Sequence, residues 1–234
     1  MVNVHRTVAT AWPGEGLWYD GVVTEQDALA SWRALATRLC PYWNFFAADL
    51  VNEPQKASWG RGRPTDWNKA AERFGNAVLS VCPRLLIFVQ GVGGDPGAQG
   101  DGGTDQGYFW GENLYGVHSA PVRLSDQSKL VYSPHTYGPG TVQQQSYFPT
   151  CNGGGCQTQL GFPTNMPAVW DRHFGFVAQA TKQAVVVGEF GGYYTGFDKQ
   201  WQDAFVDYLI ARGFGAFCAR AGLRTPAAVA HGDH

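Results

Sequence analysis

Four runs of this chain are apolar at successive positions and not at alternate ones: "NFFAADLV" (44–51), "RLLIFVQG" (84–91), "KLVYSPHTYG" (129–138) and "AVVVGEFGG" (184–192). A strand with one wet face alternates, whereas a strand covered on both faces does not. Runs of this kind therefore call for parallel strands with helices packed outside them. A shorter strand-like piece, "NVHR" (3–6), precedes them.

Between the runs lie segments with helical periodicity. "DALASWRALATRLC" (27–40) follows Thr24, which can cap it, with Asp27 completing a capping box. "TDWNKAAERFGNAVLSVC" (65–82) begins at Thr65, the expected cap. "MPAVWDRHFGFVAQATK" (166–182) carries an early proline, and "KQWQDAFVDYLIARG" (199–213) stops at Gly213. Strand, loop and helix in repeated order imply βαβ units. Two long Gly-rich loops, 91–107 and 138–163, follow strands, so they fall at the strands' C-terminal ends, where α/β proteins keep their sites. "GVGGDPG" lacks the lysine and following helix of a phosphate loop.

Composition narrows the partners. The 234 residues are 44% hydrophobic and 15% charged, with net charge −2. Such a chain can bury a large core, and its charge gives no reason to expect nucleic acid or an anionic membrane as partner. No run of about twenty apolar residues is present to span a bilayer. The first residues, "MVNVHRTVAT", lack the charged-then-apolar-then-small order of a signal peptide. Nine Trp, ten Tyr and fourteen Phe suit either an aromatic core or stacking on flat ligands such as sugars, and Trp18, Trp59 and Trp110 are the stacking candidates.

The strand ends carry the chemistry. His5 and Arg6 end the first strand, Asn52 and Glu53 the second, His135 and Tyr137 the fourth, and Glu189 the fifth. In a parallel sheet these ends point one way, so the groups converge on one cleft. Two glutamates placed so suggest paired-carboxylate chemistry. Hydrolysis of a glycosidic bond needs one carboxylic acid to protonate the leaving oxygen and a second carboxylate to attack the sugar or activate water. Asn52 can hold a sugar hydroxyl, Tyr137 can hydrogen-bond Glu189, and His135 can orient a partner.

Five cysteines cannot all pair. Cys151 and Cys156, bracketing "NGGG", are the best candidates for a disulfide. Cys40 and Cys82 each fall near the end of a predicted helix, and Cys218 is left over. No Cys/His spacing resembles a zinc site. Asp95, Asp101 and Asp105 read better as solvated loop residues than as a calcium site, so no metal or cofactor is expected.

"DLVNEP" (49–54), "YSPHTYGPG" (132–140) and "VVVGEFGG" (185–192), in that order, resemble the motif set of glycoside hydrolase family 5, in its bacterial endoglucanase branch. "LWYD" (17–20), "TDWNKAAERFGNAVL" (65–79), "GENLYGV" (111–117) and "PAVWDRHFGF" (167–176) match as well, so the resemblance runs from about residue 3 to about 212. It implies a (β/α)₈ barrel that hydrolyses β-1,4-glucans with retention, without a cofactor. Glu53 then resembles the general acid/base and Glu189 the nucleophile. Asn52, His5, His135 and Tyr137 resemble substrate-binding neighbours. A related enzyme of mannan, xylan or mixed-linkage glucan, or a carbohydrate-binding relic without turnover, is the alternative. A polymeric substrate implies secretion.

The resemblance also implies departures. With "NVHR" as the family's third strand, strands one and two and a site arginine are missing, and "CARAGLRTPAAVAHGDH" (218–234) replaces the region of strand eight and a site tryptophan. The expected architecture is an incomplete TIM barrel of five to six βα units, family strands three to seven with a remnant of strand eight. Residues 1–218 would form one catalytic domain and 219–234 a non-family tail. Its open edges, at the first strand and at "AVVVGEF", would invite pairing with a second copy, as a dimer.

Overall fold

The computed structural model describes residues 1–7, 16–93, 107–141, 145–152, 155–157 and 161–220. The strands are β1 (Val2–Asn3), β2 (Ala47–Asp49), β3 (Leu86–Val89), β4 (Leu130–Tyr132), β5 (Thr150–Asn152), β6 (Gly155–Gln157), β7 (Ala184–Gly192) and β8 (Gly215–Arg220). The helices are α1 (Glu25–Leu39), α2 (Trp67–Leu79), α3 (Met166–Trp170), α4 (Val177–Thr181) and α5 (Gly196–Arg212). A π-helical turn, Asp171–Gly175, joins α3 to α4.

Six strands form one sheet in the order β1-β2-β3-β4-β7-β8, every neighbour parallel. This is an incomplete TIM barrel. β5 and β6 make a separate antiparallel hairpin inside the second long loop. β8 is a six-residue strand paired along β7, so the C-terminal edge of the sheet is β8 and not the expected "AVVVGEF".

The larger core lies between sheet and helices. Trp32 of α1 donates its indole N–H to Leu50 O at 3.0 Å, and Trp67 of α2 donates to Gln90 O at 2.9 Å. Each ring buries apolar area and also satisfies a carbonyl at a strand end, which fixes its helix on the sheet. The barrel-interior face carries a smaller cluster, Ala47, Phe88 and Val131, with Leu86 and Val186 packed beside it.

Local signals were obeyed unevenly. Thr24 caps α1, and Asp27 returns the bond, as the capping box requires. The second helix starts later than expected: its N-cap is Asp66, not Thr65, and Asp66 makes no cap bond to the helix. Its carboxylate instead accepts from Ser58 Oγ at 2.6 Å and from Gly62 N at 2.7 Å, closing the loop before the helix.

The disulfide is Cys40–Cys82, where the ends of α1 and α2 come together. Cys151 and Cys156 are register partners in the hairpin, and their side chains are outside the described ones. Cys218 is free and exposed. Asp95, Asp101 and Asp105 also lie outside the described residues. No helix among the described residues is long and apolar enough to cross a membrane.

Candidate active site

Glu53 leaves β2 through an unusual backbone. Its φ is +46°, a left-handed conformation that costs a non-glycine residue about 1–2 kcal/mol. A buried amide holds it there. Gln90, at the end of β3, accepts from Glu53 N at 2.8 Å through Oε1. Its Nε2 donates to both oxygens of Asp49, at 3.1 and 2.9 Å. Asp49 is 3% exposed, and burial pushes its carboxyl up to about 6 against the pull of His135 and Gln90.

Glu189 reaches the same cleft from β7. The pairing of β7 with β8 shifts register between Val187 and Phe190, an irregularity that spans Glu189. Such bulges re-aim a side chain at a barrel rim. β4 continues toward the site: Thr136 N donates to Glu189 O at 3.0 Å, and Gly188 N to Pro134 O at 2.9 Å. Gly188 is required here, because a Cβ would lie 2.5 Å from Ser133 Oγ and 2.7 Å from His135 Nε2.

His135 stands between the two acids. Its Nδ1 is 3.1 Å from Glu53 Oε1 and 3.7 Å from Glu189 Oε2. Tyr137 O–H donates to Glu189 Oε2 at 2.8 Å. Burial, and then the charge and hydrogen bond of Glu189, raise the Tyr137 phenol well above its ordinary value. An oxygen of Glu53, a nitrogen of His135 and an oxygen of Glu189 all lie within 4.8 Å of one another. Retaining glycosidases hold their carboxyl groups about 5–5.5 Å apart, and inverting ones about 6.5–9.5 Å. The same three groups are near enough to share a cation, and each acid also has a protein hydrogen-bond partner.

The other expected residues separate. Asn52 is half-buried, and its Oδ1 is closed off from solvent without a protein hydrogen-bond partner. His5 is exposed and shares with Asn52 the wall of a cavity of about 220 Å³ beside α1. Trp110 is 39% exposed and directly precedes Gly111, where a Cβ would stand 3.4 Å from Glu53 Cγ. Trp59 is fully buried with its indole donating to Ala120 O, and Trp18 is 2% exposed against Trp67 and Tyr19. Trp59 is a core ring, while Trp18, nearly as buried, lies in the wall of the cavity that His5 and Asn52 line.

Gln90, Asp49 and Gly188 were not picked out from the sequence. Gln90 had a visible signal, since it ends the apolar run "RLLIFVQ" as Glu53 and Glu189 end theirs.

Two facing carboxylates at the strand ends of a parallel half-barrel are an arrangement that retaining (β/α)₈ glycosidases use. Comparison with known proteins agrees. The family model described as "Cellulase (glycosyl hydrolase family 5)" matches residues 1–222. An endoglucanase of Paenibacillus polymyxa is 41% identical over 208 residues, 85% of this chain and 49% of the relative. The major extracellular endoglucanase of Xanthomonas campestris is 44% identical over 202 residues, 84% of this chain and 38% of the relative. The solved catalytic domain of the major Xanthomonas campestris endoglucanase superposes with TM-score 0.79 at 38% identity, covering 92% of this chain and 59% of that one. A cellotetraose complex of the Pyrococcus horikoshii endocellulase gives TM-score 0.78 at 38% identity, covering 92% and 60%. The chain thus belongs to glycosyl hydrolase family 5, and it spans half or less of the length of these two curated relatives.

Proposed function

We propose that this chain carries the catalytic site of a retaining endo-β-1,4-glucanase acting on cellulose or related β-glucans. The observation that carries the reading is the Glu53–Glu189 pair, held within 4.8 Å around His135. Glu189 attacks the anomeric carbon while Glu53 gives its proton to the departing glycosidic oxygen. Glu53 then takes a proton from water, which attacks the same carbon and releases Glu189. Asn52, next to Glu53 in the chain, and Trp110, which is 39% exposed, are read as the residues that meet the sugar. A glucan substrate is supported by the relatives named as endoglucanases and by the cellotetraose complex of a structural neighbour.

The test is hydrolysis of carboxymethyl cellulose by the parent, Glu53→Gln and Glu189→Gln. Each substitution is expected to lower turnover by roughly 10²–10⁴-fold. Cellotetraose should still bind both variants. Near-parental turnover in either variant removes the assignment, and binding without parental turnover leaves a carbohydrate-binding relic. A panel of mannan, xylan and mixed-linkage glucan decides the polymer.

Three further points belong to this reading. Secretion is supported by the relative named as an extracellular enzyme. A catalytic unit that runs through β8 to Arg220 is supported by Ala219 and Arg220, which pair with Gly191 and Gly192. Pairing of two copies through the open edges is supported by β8, which has no further strand on its outer side among the described residues and whose Phe217 is 41% exposed. Light scattering that finds only monomer at micromolar concentration removes the pairing.

A further inference from the structure

Residues 109–112 form a tight turn beside the catalytic pair. Glu112 N donates to Phe109 O at 3.1 Å, and Gly111 has φ +81°, the third-position conformation that a type II turn demands of glycine. Trp110 is the other central residue and is 39% exposed. The turn is seated on the site. Gly91 N and His135 N both donate to Gly111 O, at 2.8 and 3.3 Å, and the Phe109 ring lies 4.8 Å from the Tyr137 ring. A Cβ on Gly111 would stand 3.4 Å from Glu53 Cγ and from His135 Cβ.

A buried acid, Glu112, closes this turn. Glu112 is 1% exposed and belongs to "GENLYGV", a stretch with no role in the chemistry above. Its Oε2 accepts from Phe109 N at 2.7 Å, so side chain and backbone bridge the same turn. Its Oε1 accepts from Thr136 Oγ1 at 2.7 Å, the residue between His135 and Tyr137. His173, on the π-helical turn, brings Nδ1 to 3.2 Å from Oε2. One carboxylate therefore ties together the turn, the end of β4 and the helix behind it.

We infer that Glu112 is a positioning residue that sets the Trp110 turn as the wall of the substrate cleft. It touches neither reacting carboxylate. It acts through Phe109 N, which fixes the turn, and through Thr136, which fixes the turn's height relative to His135 and Tyr137. A buried carboxyl held by two short hydrogen bonds resists movement, because each bond released leaves a buried polar atom with one partner fewer, away from water. A ring presented on so stiff a turn is pre-organised for stacking. The inference rests on the glucanase reading.

The test is a double-mutant cycle between Glu112 and Trp110, read as cellotetraose affinity by titration calorimetry in the Glu189→Gln background. Trp110→Ala is expected to weaken binding about tenfold, the scale of a lost aromatic stack. Glu112→Gln should weaken it about fivefold, while the double variant falls no more than about twofold below Trp110→Ala alone. Thr136→Val, which removes one donor to Glu112 and keeps the side chain's shape, should reproduce a smaller part of the loss. Melting curves check that each variant is folded, and Thr136→Val carries the test if Glu112→Gln is not. Losses that multiply in the double variant, or parental affinity in both Glu112→Gln and Thr136→Val, overturn the inference. Parental turnover on carboxymethyl cellulose is read separately, so a failure of the glucanase reading is distinguished from a failure of the coupling.

Discussion

Tyr137 and Glu189 share a hydrogen bond of 2.8 Å between residues 52 positions apart, with the phenol as donor. The phenol's raised pKa keeps that proton in place across any working pH, so Tyr137 is a fixed donor and does not act as a base. A hydrogen bond to a charged group contributes about 1.5–3 kcal/mol. Tyr137→Phe is expected to lower kcat/KM by roughly 10- to 100-fold and to leave the melting temperature nearly unchanged. Parental kinetics for this variant on cello-oligosaccharides would show that the bond does not serve the reaction.

Asp49 predicts a pH signature of stability. Its carboxyl is near 6 in the folded state against an ordinary 3.8, so the folded chain holds the proton more tightly than the unfolded one. Stability is therefore lost as pH rises from about 4 to about 6, by about 3 kcal/mol for a shift of this size. Asp49→Asn removes the charge and keeps an oxygen to accept from Gln90. Its melting temperature should gain on the parent as pH rises through that window, and differential scanning calorimetry at pH 4 and pH 7 checks it. Parallel curves contradict the assignment.

Gly188→Ala should be costly out of proportion to one methyl group. The new Cβ meets Ser133 Oγ and His135 Nε2 inside 3 Å, in a layer with no room to yield. Overpacking of this kind costs about 1–3 kcal/mol, and here the displaced ring is the one between the two acids. Turnover should fall with stability. Gly21→Ala, where nothing lies within 4 Å, is the control and should change neither.

The Cys40–Cys82 bond closes a loop with a sequence separation of 42. Chain-entropy arguments place its contribution at about 4 kcal/mol. Cys40→Ser with Cys82→Ser is expected to lower the chemical-denaturation free energy by about 2–5 kcal/mol. An unchanged denaturation midpoint after full reduction would count against this.

The parallel strands and the groups Glu53, His135, Tyr137 and Glu189 were legible because their signals are local. Continuous apolar runs announce covered parallel strands, and a charge at the end of such a run is conspicuous. Gln90 shows the limit of that rule. It ends its strand in the same way but carries no charge, and only the fold reveals that it holds Glu53 by the backbone. Trp59 and Trp110 are the same residue type in similarly Gly-rich surroundings, and nothing local says which ring will be fully buried. Cys40 and Cys82 pair because two helices lie side by side, a fact of packing that spacing does not encode. The edge at β8 was misplaced because "GFGAFCA" looked like a remnant, whereas pairing with β7 makes it a complete strand.

The curl of the sheet has a mechanical meaning. Glu53 follows β2 and Glu189 lies in β7, with β3 and β4 between them. In a flat sheet three strand spacings would separate those two strands by about 14 Å. Their carboxylate oxygens nevertheless come within 4.8 Å. The gap between the two acids is thus a gauge of how tightly β3 and β4 are bent. Whatever lets those two strands relax, whether in the interior cluster around Phe88 or in a helix that slips off the outside, is read out as a widening jaw long before the chain unfolds.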